Sequence, residues 1–167
     1  MDFLGIIYLL AVTVGICLAY FPLYYFFTYF FKNSNPPPPS PQRTFTSLLL
    51  VVLISFTVYV LSFSIQSIEF GNRIIHSMGG GFLGTILCFM VVRDSRLKID
   101  KIRFLILTFL VVTTLGVFNE IIEFFLQNNF SFTAAPNVND TWLDLISNTV
   151  GIILASICLL PFLNKNR

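Results

Sequence analysis

Asp140-Thr141-Trp142-Leu143-Asp144-Leu145-Ile146-Ser147-Asn148-Thr149-Val150-Gly151 opens an apolar run that continues to Leu163. Asp140, Asp144 and Asn148 are spaced four residues apart, so on a helix they project from one face, each about a turn beyond the last. The run is long enough to cross a hydrocarbon layer about 30 Å thick. Ionisable groups are costly inside such a segment, and a same-face row of them marks a candidate functional site. Taken alone, Asp140 also suits a helix N-cap with Thr141 following it.

Working outward, the rest of the chain repeats this apolar character. Of its 167 residues, 56% are hydrophobic and only 11% charged, and the mean hydropathy is +0.83. Soluble domains carry about 25% charged residues, which excludes an ordinary soluble core. The apolar residues fall in blocks about 20 long, as membrane-spanning helices require. The expected fold is all-α: a polytopic membrane protein, a bundle of about five transmembrane helices. Cys17, Cys88 and Cys158 all lie inside apolar blocks and none forms a CxxC pair. They read as small hydrophobes, with no disulfide framework or thiolate metal site indicated.

The expected division is a first transmembrane helix over 1–31, a Pro-rich cytoplasmic linker over 32–46, a four-helix core over 47–163 and a cytoplasmic tail over 164–167. Met1-Asp2-Phe3 lacks the basic start of a signal peptide, so the first block reads as a retained span. Its end is rich in aromatics, and Pro22 is positioned to kink it. Pro36-Pro37-Pro38-Pro39-Ser40-Pro41 predicts an extended spacer, which makes the first helix a peripheral addition to a core of four. Ser55, Tyr59 and Ser62 share a face of the second span and can bond neighbouring helices. Residues 66–73 read as a turn. The remaining spans are expected near Ile74–Val92, Phe104–Leu126 and Asp140–Leu163. Nine of the ten Lys and Arg residues then lie on one side and Arg73 alone on the other. The positive-inside rule gives an N-out, C-in orientation. The location implied is a multi-pass cell membrane, the bacterial plasma membrane.

That topology places His76, Glu120, Glu123, Asp140, Asp144 and Asn148 near the outer face, from three different helices. The inner halves of the spans hold no ionisable residue. Small residues adjoin the polar ones: Gly80 and Gly84 form a GxxxG pair on the stripe carrying His76, Gly116 precedes Glu120 by a turn, and Ser147, Gly151 and Ala155 flank Asp144. Such surfaces allow close helix contacts, within a chain or in an oligomer. One imidazole and several carboxylates suit a divalent cation such as zinc, manganese or magnesium, with His76, Glu123 and Asp144 as expected ligands. Glu120, Glu123, Asp140 and Asp144 are the candidate acid–base groups, and Asn148 supports them. This favours a metal-dependent enzyme acting on a lipid or cell-envelope substrate. A transporter or ion pathway, and a non-catalytic lipid-binding or assembly module, remain open. The expected partners are the bilayer and such a substrate. No GxSxG, Walker or HExxH motif occurs, and no basic–aromatic surface for nucleic acid.

Three motifs carry a family resemblance. A span begins with His76 and then turns glycine-rich, a second ends in Glu120-x-x-Glu123-Phe124, and a third begins Asp140-Thr141-x-x-Asp144-Leu145-Ile146-x-Asn148-x-x-Gly151. Together these resemble the uncharacterised YjdF-type bacterial membrane family, over roughly Gly71 to Ala155. The last motif is also similar to the end of VanZ-like proteins, which are associated with resistance to the glycopeptide teicoplanin. The resemblance implies a site at His76, Glu120, Glu123, Asp140, Asp144 and Asn148. The YjdF-type pattern carries an acid one turn before the histidine; Asn72 stands there in this chain.

Overall fold

The computed structural model describes the backbone of residues 3–32, 38–130 and 138–163, and their side chains except those of 3–5, 8 and 32. Among these residues, five helices are long and apolar enough to cross a membrane. They are α1 (Phe3–Lys32), α2 (Pro41–Phe63), α3 (Ile68–Asp94), α4 (Lys101–Phe130) and α5 (Val138–Leu159), the last running into a 3-10 turn over Leu160–Phe162. The chain is an all-helical, multi-pass membrane protein. The expected tail at 164–167, and the linker and loop stretches at 33–37 and 131–137, lie outside the described residues.

The third helix is the axis of the bundle. In its most apolar stretch 56% of residues are buried, against 17–28% in the other four helices. Those four turn large apolar side chains outward, among them Leu18, Phe56, Phe118 and Ile157. Such faces are what lipid requires, because burial inside the protein and contact with acyl chains are nearly equivalent for a hydrocarbon side chain.

Two helices begin earlier than the sequence pattern suggests. Helix α2 starts at Pro41 rather than Ser47, inside the expected linker, with Ser40 in an extended conformation before it. Proline is well tolerated in the first helical turn, where the missing N–H would have had no partner. Only Pro38 to Ser40 remain outside helix among the described linker residues. Likewise, most of the stretch read as the 66–73 turn is the first part of α3. Ser67 caps it by accepting from the Phe70 N–H at 3.3 Å, and Glu69 lies in the first turn.

Helix α3 is not uniform. Ile75–Phe82 is π-helical, flanked by α-helical segments over Ile68–Ile74 and Leu83–Asp94. Its hydrogen bonds run to the fifth residue rather than the fourth, a local widening common at functional positions. The wider turn brings Gly80 and Gly81 both against Asn148 of α5. His76 and Gly81 are the buried residues of the segment, so the expected stripe of His76, Gly80 and Gly84 takes in Gly81 as well. A side chain at Gly80 would strike Asn148 of α5, whereas one at Gly84 would meet Val112 of α4 at 3.0 Å. The GxxxG pair thus serves two different neighbours within the chain.

The first helix is an integral part of the bundle, which corrects the expectation of a peripheral one. Tyr20, Tyr24, Phe27 and Thr28 are buried. The Tyr20 hydroxyl donates to Asp94 Oδ2 at 2.9 Å, and Ser47 of α2 donates to the same oxygen at 2.6 Å. Arg93 completes the set through Nε to Asp94 Oδ1 at 2.9 Å and through Nη2 to Ser47 Oγ at 3.1 Å. Asp94, two residues beyond the expected end of the third span at Val92, is therefore a buried acid in the last turn of α3, at the end away from His76. Farther along, Tyr59 of α2 donates to the Leu9 carbonyl at 3.0 Å and lies 2.9 Å from the Thr13 hydroxyl. Ser62 donates to the Gly71 carbonyl at 2.8 Å, whereas the buried Ser55 hydroxyl has no hydrogen bond among the described residues.

Candidate functional site

The site forms where α3 and α5 touch backbone to backbone. A Cβ on Gly151 would overlap the Ser77 carbonyl, and one on Gly81 would overlap the Asn148 carbonyl. Only residues without side chains permit that approach. The glycine faces suggested for self-association are thus filled by this chain's own helices; Gly15 alone among the described glycines has open space around it. Asn148 occupies the room left by Gly80, Gly81 and Gly116, at the junction of α3, α4 and α5. Its Oδ1 is buried and accepts no hydrogen bond from a described residue.

One turn from Asn148, the same contact presses His76 against Asp144. The imidazole Nε2 lies 3.5 Å from Asp144 Oδ1, and Nδ1 lies 3.8 Å from Glu120 Oε1 of α4. One nitrogen of His76 and one oxygen from each of Glu120 and Asp144 lie within 4.8 Å of one another, and all three residues are buried. These are the donor types of a three-residue divalent site, with a fourth position left for water or substrate. The sequence reading named His76, Glu123 and Asp144 as ligands. The structure instead brings Glu120 to the imidazole, while the Glu123 carboxylate takes a hydrogen bond from Asn119 Nδ2 at 2.7 Å.

Around this core lies the guanidinium of Arg73, a residue of the first part of α3 and not of a turn. Arg73 bonds the carboxylates of both Asp140 and Asp144 and also donates to the Asp140 carbonyl at 3.2 Å. Asn72, standing where the resembled pattern has an acid, directs its amide to Asp144 Oδ1 and Oδ2 at 3.2 and 3.4 Å. An acid there would repel Asp144; the amide holds it. The signal that could have placed both residues was local: Ser67 followed by Glu69 marks a helix start, which puts Asn72 and Arg73 on the same helix as His76.

The electrostatics are unbalanced. Glu120, Glu123, Asp140 and Asp144 are all buried, and the Arg73 guanidinium pairs with Asp140 and Asp144 of the group. Both Glu120 oxygens are buried and accept no hydrogen bond from a described residue, although Thr141 lies near enough to influence the carboxyl. A buried carboxylate without a donor is costly. Protonation or a bound cation would each relieve that cost, and only a cation also draws on the neighbouring imidazole and Asp144 as ligands.

A family model described as "Predicted membrane protein (DUF2238)" matches residues 5–165. The chain belongs to that family. No curated protein and no solved structure matches it. The DUF2238 match takes in α1 and the connection to α2, which the motif resemblance from Gly71 onward had left out. It agrees with the buried packing of Tyr20 and Phe27 in placing the first helix within the family's architecture.

Proposed function

We propose that this DUF2238 protein is a membrane-embedded, divalent-metal-dependent enzyme acting on a lipid or cell-envelope substrate. The supporting observation is the buried convergence of one His76 nitrogen with an oxygen each of Glu120 and Asp144, all within 4.8 Å of one another. In this reading the three residues are the metal ligands. A metal held by three protein groups can activate a water in its open position and polarise a substrate oxygen. Glu123, steadied by Asn119, is the candidate general base. Arg73 and Asn72 orient Asp144 as hydrogen-bonding supports to a ligand. Asp140 positions Arg73, and Asn148 fixes the α3–α5 contact beneath the site. In this reading the site faces the extracytoplasmic side of a bacterial plasma membrane, with the chain N-out and C-in; the excess of basic residues at the other end of the bundle supports that orientation. The likeness to YjdF-type and VanZ-like motifs falls on the same residues and fits a cell-envelope role.

The test is metal content of the purified protein in detergent, measured together with its folded state. One equivalent of zinc or manganese is expected, lost in Glu120→Gln and retained in Glu123→Gln. Folded wild-type protein that takes up no divalent metal on titration would sink the reading. An ion pathway is the second reading. Thr108 and Thr113 of α4 and Ser156 of α5 have buried hydroxyls with no hydrogen bond among the described residues, on the Asp94 side of Asn148. Flux in proteoliposomes that depends on Glu120 would favour it over the enzyme.

A further inference from the structure

At the opposite end of α3, residues from the start of α2, the end of α3 and the α3–α4 connection form one groove of about 700 Å³. Arg43 from the start of α2 faces Arg93 in the last turn of α3 and Arg96 and Lys98 from the α3–α4 connection, and Phe89 and Ile99 supply apolar wall. Among the described residues that line it, four are cationic and none is acidic. Arg93 is held there by the buried Asp94 and Ser47, so its guanidinium is oriented rather than loose.

The backbone at Arg96 is unusual for its residue type. Arg96 has φ 53° and is the one non-glycine residue with positive φ among the described residues. Its N–H bonds the Arg93 carbonyl and the Leu97 N–H bonds the Val92 carbonyl, both at 3.1 Å. That is the paired closure of a helix C-terminus in which glycine is the favoured residue at the left-handed position. An arginine there carries a conformational cost that glycine avoids. Strain of this kind points toward a use for the side chain it retains.

We propose that this groove binds the phosphate headgroup of an anionic phospholipid, with the acyl chains leaving along the apolar wall. A basic pocket between helix ends at headgroup depth has the chemistry for that ligand. Basic residues are expected on the cytoplasmic side of any membrane protein, so charge in the turn is not sufficient evidence. The arrangement provides its own control. Lys101 and Arg103 belong to the same basic stretch but do not line the groove, and Arg103 pairs with Asp100 at 3.0 Å.

The experiment reconstitutes the full chain in nanodiscs of mixed phosphatidylcholine and phosphatidylglycerol and counts retained lipids by native mass spectrometry. Phosphatidylglycerol should be retained preferentially. Arg96→Asn with Lys98→Gln should weaken that retention roughly thirtyfold, since each basic residue contributes on the order of a fivefold gain toward an anionic headgroup. Asparagine tolerates the left-handed conformation, so the turn should survive. Lys101→Gln with Arg103→Gln removes as much charge nearby and should leave retention nearly unchanged. Arg96→Gly should raise the thermal midpoint while lowering retention, a split that a purely structural arginine would not produce. Equal retention of the two lipids, an equal loss from the off-groove pair, or displacement of the lipid by millimolar inorganic phosphate would each overturn the proposal.

Discussion

The two ends of α3 both bury acids, and they treat them differently. At one end Asp94 stands alone and is satisfied: Tyr20, Ser47 and Arg93 supply donors to both of its oxygens. At the other, four buried carboxyls gather beside His76, and Glu120 receives no hydrogen bond from a described residue. A satisfied buried acid ties helices together, and α1, α2 and α3 all meet at Asp94. An acid left without donors is poor glue. Its retention is better explained by something that comes to it, which is why the metal reading rests on Glu120 and not on the number of acids.

The largest effect should come from Asp144→Ala. It removes a ligand and leaves Arg73 with one aspartate fewer, so metal content should fall to background. Stability should drop by about 3 kcal/mol, the lower range for breaking a buried pair, because Arg73 is partly exposed. Metal content by elemental analysis and thermal unfolding in detergent check the two halves separately. Next is Gly151→Ala, where the added methyl would force α5 away from the Ser77 carbonyl. Overpacking of this kind costs about 1–3 kcal/mol, and the separation of His76 from Asp144 should lower metal affinity with every ligand still present. Gly15→Ala is the matching control: with nothing within 4 Å, it should be neutral or slightly stabilising and leave the metal in place.

The smaller effect should come from the Asp94 end. Tyr20→Phe removes one hydrogen bond and should cost about 1 kcal/mol, with metal content unchanged. That last outcome is the sharpest check on the comparison. If Tyr20→Phe or Asp94→Asn emptied the His76 site as well, the two ends would be one coupled system rather than a structural tie and a separate centre.

Much of this architecture was legible in the sequence. The length of the apolar blocks gave five spans, and charge placement brought six polar residues to one end. What was missed has particular causes. Glu120 and Glu123 are three residues apart on one helix face, and only the roll of α4 against its neighbours decides which meets His76. The π-helical segment brings Gly81 to α5 alongside Gly80, an addition no α-periodic reading can contain. Asp94 looked like loop because the apolar run stops at Val92; the partners that bury it lie 47 and 74 residues away. Arg73 was treated as a lone outside charge when its aspartates were still 67 and 71 residues downstream.

Those separations bear on how the protein is made. Synthesis proceeds from α1, and Arg73 enters with α3 well before Asp140 and Asp144 exist. Until α5 arrives, its guanidinium must stay hydrated near the headgroups, and α3 cannot settle to its final depth. The Asp94 tie needs only α1, α2 and α3, so it can close first and hold the nascent bundle open at the other end. A chain stopped before Val138 should therefore keep its Tyr20–Asp94 tie while leaving the Arg73 end of α3 accessible to water-borne labelling reagents. Helix α5, made after the other four, is the one that seals the site.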